Sequence, residues 1–234
     1  AYTFASYPRG ILSAPVTLVA GGTFAEVAEN RLQLSKAFFR TSALLVRAGF
    51  LLAGWLILIA PEFVMLLLGE KWLPMVPIFR IMSIFALIDP LRDLLTSVYV
   101  AVGQPRRLMR YKLIQLLVLI AGLLLLGQRW SVVGVAVAVD LMLVVGIGQL
   151  MLGARPWVDF SLRRIFLWPL LALGGAVGAA ALAIWAWGPD FNLWLSALLK
   201  SLIMGAVYMA ILWLGERRRL LEMWGALRKQ LQSA

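Results

Sequence analysis

Cysteine and histidine are both absent from the 234 residues. Their absence excludes disulfides, thiolate or imidazole metal sites, and the usual nucleophile and base pairs of hydrolytic enzymes. Any chemistry would rest on Asp, Glu, Lys, Arg, Tyr and Ser, and neither a metal site nor a cofactor is expected. Charge is also scarce, at 14% of the chain against about 25% in an ordinary soluble domain. Acids are scarcest, with 11 Asp and Glu facing 22 Lys and Arg. Apolar side chains fill the rest. Hydrophobic residues reach 62% and the mean hydropathy is +0.90, the composition of a membrane protein.

Crossing a hydrocarbon layer takes about 20 largely apolar residues as a helix, because backbone N–H and C=O groups must pair internally where water is missing. Seven stretches satisfy this, near residues 3–22, 44–62, 76–102, 112–127, 132–152, 165–187 and 191–214. The expected fold class is all-α, a polytopic transmembrane helical bundle over residues 1–214. Beyond it, residues 215–234 place Leu220, Leu221, Trp224, Leu227 and Leu231 on one helical face, opposite Arg219, Arg228 and Lys229. That pattern predicts an amphipathic tail helix on the membrane surface. Residues 23–43 mix Phe24, Leu34, Phe38 and Phe39 with charges and read as interfacial in the same way. The chain opens at Ala1 directly into an apolar segment, without an initiator Met or a charged signal region, and reads as the C-terminal piece of a longer protein.

The basic residues sort by connection. Arg31, Lys36, Arg40 and Arg47 lie between the first two spans, and Arg106, Arg107, Arg110 and Lys112 between the third and fourth. Arg155, Arg163 and Arg164 follow the fifth, and Arg217, Arg218, Arg219, Arg228 and Lys229 follow the seventh. The opposite side holds only Lys71 and Arg129, so the positive-inside bias puts the crowded side and the C-terminus in the cytoplasm. The compact interruption "GEKWLP", residues 69–74, then becomes an external turn in which Pro74 and Pro77 restart the next helix, with Trp72 at headgroup level and Glu70 and Lys71 in water. The excess of positive charge suits an anionic leaflet. It does not point to nucleic acid, since the clusters cap spans and no soluble module exists to read a groove.

Ionisable residues within spans are costly enough to raise a functional hypothesis, with snorkelling to the interface as the alternative. Arg9, between Pro8 and Gly10, either faces the lumen or snorkels outward. Asp89, Arg92, Asp93 and Thr96 fall at i, i+3, i+4 and i+7 and therefore share a face. That stripe is either an internally paired packing seam or one wall of a hydrated cavity. Asp140 lies near the middle of the fifth span, where it would carry a proton, bind a cation or serve as a structural partner. Lys200 is expected to snorkel, and Arg80 to anchor at an interface. The small residues Gly134 and Gly146, and Gly174, Gly175, Gly178 and Ala179, allow close helix approach or a hinge.

Two stretches carry a family resemblance. "APEFVMLLLGEKWLPMVPIFRIMSIFALI", residues 60–88, and "VYVAVGQPRRLMRYKLIQLLV", residues 98–118, resemble the C-terminal half of Wzx-type polysaccharide flippases in the multidrug/oligosaccharidyl-lipid/polysaccharide exporter superfamily. The matching features are Pro61 and Glu62 before an apolar run, Gly69 through Trp72 at the turn, and Ala101, Gly103 and Pro105 leading into basic residues; "SKAFFRT", residues 35–41, resembles the loop entering the same half. The resemblance covers residues 1 to about 155, and the last two spans agree in number and hydropathy.

It implies that the seven spans are the last seven helices of a fourteen-helix transporter. It also implies export of undecaprenyl-pyrophosphate-linked oligosaccharide, for surface polysaccharide such as lipopolysaccharide or exopolysaccharide, across the bacterial inner membrane. Arg9, Arg92, Asp89 and Asp93 would then contact substrate, Asp140 would serve a proton or sodium coupling step, and polysaccharide-assembly proteins would be partners. A multidrug exporter of the same superfamily stands as a rival within transport. An integral-membrane glycan polymerase or ligase is disfavoured by short external turns, "GQRWS" at 127–131 and "WGPDFN" at 187–192, and a structural or assembly subunit is the remaining reading. Reporter fusions after Lys71 and Gln128 are expected to report an external location, and fusions after Arg110 and at Ala234 a cytoplasmic one. The reverse pattern would overturn the orientation.

Overall fold

The structure, a computed structural model, describes residues 20–187 and 192–232. The first expected span lies outside the described residues apart from its last three positions, which begin a short helix over 20–26. After a turn, Asn30 caps the next helix by accepting from the backbone N–H of Leu32 at 3.1 Å and of Gln33 at 3.2 Å. That helix, α1, runs Arg31–Leu67 without a break. Its 37 residues extend about 55 Å at 1.5 Å per residue, well beyond a hydrocarbon core of about 30 Å. The segment read as interfacial is thus largely the first turns of a span. Phe24, Leu34 and Phe38 on it are fully buried against the bundle, so protein rather than lipid covers that apolar face.

Gly69 ends α1 with φ +89°, a left-handed position that suits glycine, and a 3-10 turn follows over Glu70–Met75. Pro74 sits inside that turn and Pro77 in the first turn of α2, Val76–Ala101, as the "GEKWLP" pattern suggests. Gly103, at φ +68°, ends α2 and leads into α3, Pro105–Gly122. A π-helical turn, Leu123–Gly127, joins α3 to α4, Gln128–Ala154. The chain folds back sharply at Ser131, whose φ of 49° and ψ of −129° are non-helical. Two antiparallel crossings result, since a side chain at Gly122 would meet the Ala138 Cβ at 2.8 Å and Gly146 abuts Gln115. The hairpin α5, Leu162–Trp187, and α6, Leu193–Gln232, completes the described chain.

Five helical stretches among the described residues are long and apolar enough to cross a membrane. One of them, Pro105–Ala154, is the α3–α4 hairpin and supplies two crossings, so six of the seven expected spans are present as helices. α1 is central: it packs against α2 on one side and against α5 and α6 on the other. α4 lies against α2, and α3 lies against α4. Lipid tails are as apolar as Leu, so such packing depends on close approach and interhelical polar contacts. At Gly54 an added methyl would collide with Leu173 of α5 and Met204 of α6, which marks the point where three helices touch. Gly175 serves the α5–α6 seam in the same way against Ile211, whereas Gly174 and Gly178 face open space.

Two expectations about single charges need correction. Arg47 is not a loop cation: it is buried in α1 and donates from Nε to Glu216 of α6 at 2.8 Å, with Nη2 on the same carboxylate. Lys200 does not snorkel outward. Its ammonium pairs with Glu62 of α1, which also accepts from the Ser196 hydroxyl at 2.8 Å. In both cases a carboxylate from a helix remote in sequence made burial of the cation affordable. Arg80 is exposed and donates to the Ile57 carbonyl at 3.2 Å. α6 continues past the expected end of its span, with non-helical angles at Glu216 (φ −136°, ψ 25°), and helix persists to Gln232.

Because Glu62 is buried, replacing Lys200 by Met should strand its charge and cost about 3–5 kcal/mol of stability. The double variant Glu62→Gln, Lys200→Met should recover most of it. Thermal unfolding in detergent, with membrane abundance measured in parallel, checks the pair. Equal melting of all three proteins would show the contact to be energetically idle.

Candidate functional site

α2 supplies the polar wall of an internal cleft. Within its apolar sequence, Arg92, Asp93 and Thr96 face α3, from which Leu108, Lys112 and Gln115 approach, and Leu150 of α4 closes the far side. The enclosed space is about 160 Å³, room for several waters. Two cations and one carboxylate line it.

The stripe found in the sequence divides on folding. Asp89 is fully buried and not among the lining residues; its Oδ1 lies 2.7 Å from Arg92 Nη2. Asp93 Oδ1 is 3.6 Å from the same nitrogen, with the Arg92 and Asp93 side chains 22% and 26% exposed toward the cleft and its mouth. The guanidinium is therefore held from behind by a buried carboxylate and flanked in front by a half-open one. The guanidinium lines the cleft, where its planar fork can meet an anion or water. Thr96 spends its hydroxyl proton on the Arg92 carbonyl at 2.9 Å, and Ser97 does the same to the Asp93 carbonyl at 3.2 Å. These backbonds also satisfy polar groups in a helix that carries Pro90 in its interior.

Packing around the cleft is close. Gly146 of α4 leaves room for Gln115, whose Nε2 would lie 2.6 Å from a side-chain carbon at that position. Gly153 admits the hydroxyls of Tyr99 and Tyr111, and Tyr99 donates to the Leu150 carbonyl at 3.0 Å. Tyr99 also meets the Trp157 ring edge-on at 5.6 Å, and the Arg107 guanidinium lies 5.1 Å from the same indole. These contacts fix α2, α3 and α4 at the basic end of the bundle, where the cleft lies.

Arg9 lies outside the described residues. Asp140 is not in the cleft: it sits ten residues before Leu150 on α4, about 15 Å along the axis. Both of its carboxylate oxygens are buried and make no hydrogen bond among the described residues. Lys112 and Gln115 are cleft residues that sequence reasoning did not single out, Lys112 having been counted as a loop cation. Their i, i+3 spacing, one turn on from Leu108, was the available signal. Among the described residues no group of three or more Asp and Glu could hold a metal ion.

Six crossings, with a polar cleft between α2, α3 and α4, define a multi-pass helical membrane protein. Residues 1–77 match the family described as polysaccharide biosynthesis protein. The solved structure of the lipid II flippase MurJ, in an inward closed conformation, matches the bundle with a TM-score of 0.74 at 16% identity, covering 94% of this chain and 47% of that one. The chain thus spans about half the length of that protein and shares the fold of that half. Both findings agree with the resemblance carried by the "GEKWLP" region. No curated protein matches the chain.

Because cysteine is absent, the cleft can be probed with single introduced thiols. Thr96→Cys is expected to react with a charged, membrane-impermeant thiol reagent, and Leu94→Cys, at a fully buried position on the same helix, is expected to resist it. Failure of Thr96→Cys to react in a folded protein would show the cleft to be dry.

Proposed function

We propose that this chain is the C-terminal half of a flippase that moves undecaprenyl-pyrophosphate-linked oligosaccharide across the bacterial inner membrane for surface polysaccharide synthesis. The observation that carries this reading is Arg92, paired with Asp89 and lining a cleft inside a bundle of flippase-half fold. A pyrophosphate-linked sugar is anionic and strongly hydrated, so its passage needs a polar and preferably cationic path through hydrocarbon. Arg92 supplies a planar donor fork for phosphate oxygens, and Lys112 a second positive charge near the mouth. Asp89 orients the guanidinium, and Asp93 competes with the anion for it, which keeps binding weak enough for release. Arg9 adds a further cation on the first span.

Transport would proceed by rocking of this half against its counterpart, so that the polar path opens to each side in turn. Asp140, a buried carboxylate of α4 without a hydrogen-bond partner among the described residues, is the candidate for proton or sodium coupling. No bond in the substrate is made or broken, so the protein acts as a transporter and not as an enzyme. The basic end faces the cytoplasm in this reading, with the tail after Glu216 lying along the membrane surface as an amphipathic helix. Substrate and membrane lipids are the principal partners, with polysaccharide-assembly proteins as associates and no nucleic acid.

Arg92→Ala should strand the buried Asp89 carboxylate and lower membrane abundance, whereas the Asp89→Asn, Arg92→Ala double variant should accumulate normally while glycan export stays down at least about tenfold. Arg9→Ala should lose export in the same way, with Arg9→Lys only partly restored. Export is read by surface glycan staining beside immunoblotted membrane abundance. A poorly inserted Arg92→Ala, rescued in abundance and export by Asp89→Asn, would make the stripe structural. Efflux of lipophilic cations with surface glycan unaffected would favour a drug exporter of the same fold.

A further inference from the structure

A second and larger recess lies at the basic end, away from the cleft. Its walls are the first turns of α1 and the segment that enters α5, and it encloses about 490 Å³, within the roughly 300–1,000 Å³ range of small-ligand sites. Lys36 and Arg40 stand one turn apart on α1, and Arg164 faces them from the start of α5. Leu32, Phe39 and Phe160 supply the apolar surface between these cations.

The charge balance of the recess is lopsided for a specific reason. Asp159 is its single acid, and that carboxylate is already engaged by Arg31 at 2.6 Å, while Arg31 also donates to the Arg155 carbonyl at 3.2 Å. The Asp159 backbone N–H is tied down too, donating to the Ser35 hydroxyl at 2.8 Å. Lys36, Arg40 and Arg164 make no ion pair among the described residues, so three cations face one recess with its acid neutralised from the side. All three are exposed, and together they give the recess a positive potential that draws an anion.

Position narrows the class of anion. Arg40 precedes the expected start of the α1 span by four residues, about 6 Å, and Arg164 immediately precedes that of α5, which places both at headgroup depth. Lys36 lies one turn further out. We propose that this recess binds the headgroup of an anionic phospholipid, with the phosphate held by Arg40 and Arg164, Lys36 at the rim, and the glycerol and upper acyl chain against Phe39 and Phe160. Charge complementarity and the aromatic lining at the membrane edge favour a lipid over a soluble anion or an acidic peptide. The site is separate from the Arg92 cleft and does not depend on which substrate the protein moves. A lipid seated there joins the entry of α1 to that of α5, two elements otherwise linked at this end through Arg31, Ser35 and Asp159.

The test uses the purified protein in neutral detergent micelles and a fluorescent short-chain phosphatidylglycerol, with the phosphatidylcholine analogue as the zwitterionic control. Anisotropy should report saturable binding of the first and little of the second. The variant Lys36→Gln, Arg40→Gln, Arg164→Gln should weaken phosphatidylglycerol binding at least about tenfold. The charge-matched variant Arg106→Gln, Arg110→Gln, Arg163→Gln, which removes three cations at the same end outside the recess, should bind as the parent does. Equal weakening by both triple variants would overturn the proposal in favour of general surface charge. Displacement of the lipid by millimolar inorganic phosphate would reassign the recess to a soluble anion, and displacement by a polyglutamate peptide to an acidic partner. Melting temperatures are measured alongside, and should the first triple variant melt early, the three single variants, each expected to weaken binding, carry the same comparison.

Discussion

Helices in a bilayer gain nothing from hiding leucine from leucine, so the bundle depends on what ties α1 to α6. Three polar contacts do so along one face of α1. Glu62 meets Lys200 and Ser196 toward one end, the Trp55 indole donates to the Ser201 hydroxyl at 2.7 Å in the middle, and Arg47 meets Glu216 toward the other. Tyr208 adds a bond from its hydroxyl to the Arg47 carbonyl at 2.8 Å. Fifteen residues of α1 separate Arg47 from Glu62, about 22 Å, so the seam runs through most of a hydrocarbon core. Polar groups that would be expensive facing lipid thereby become the specific contacts that choose a partner helix and its register. Gly54 lies within that seam and lets α1 meet both α5 and α6.

The other side of α1 is built differently. α2, α3 and α4 meet through small residues and aromatic hydroxyls, and what polar surface they bring is gathered into the cleft instead of being fully consumed by pairing. The difference has a functional consequence. A seam whose charges are paired within the protein moves as a unit, while a guanidinium that lines a cleft can exchange partners between water and a passing anion. In the proposed transport cycle the α1–α6 seam is the rigid part and the Arg92 cleft the part that works.

The two basic features are also unlike each other. In the cleft Arg92 is restrained by Asp89 and Asp93, which suits transient contact. In the recess at the entry of α1, Asp159 is drawn off by Arg31 and three cations are left together, which suits a resident anion. Counting positive charges by loop treats all of them alike. Their chemistry is set by which acid stands beside each.

Composition and hydropathy determined the class, an all-α membrane bundle, and placed the span 76–102 to within a residue of α2, where Pro77 and Gly103 bound it. Those signals are local, because a glycine at positive φ or a proline in a first helical turn acts on its own backbone. The shared face of Asp89, Arg92, Asp93 and Thr96 was likewise legible, since helical periodicity is a property of one segment. Tertiary structure alone decided that Asp89 turns inward while Arg92 and Asp93 open to a cleft, and that Lys112 and Gln115 complete it from α3. It alone paired Arg47 with Glu216 and Lys200 with Glu62, across 169 and 138 residues of sequence. No periodicity within a helix encodes which remote helix will face it, and in a membrane the fate of a buried charge depends on that neighbour.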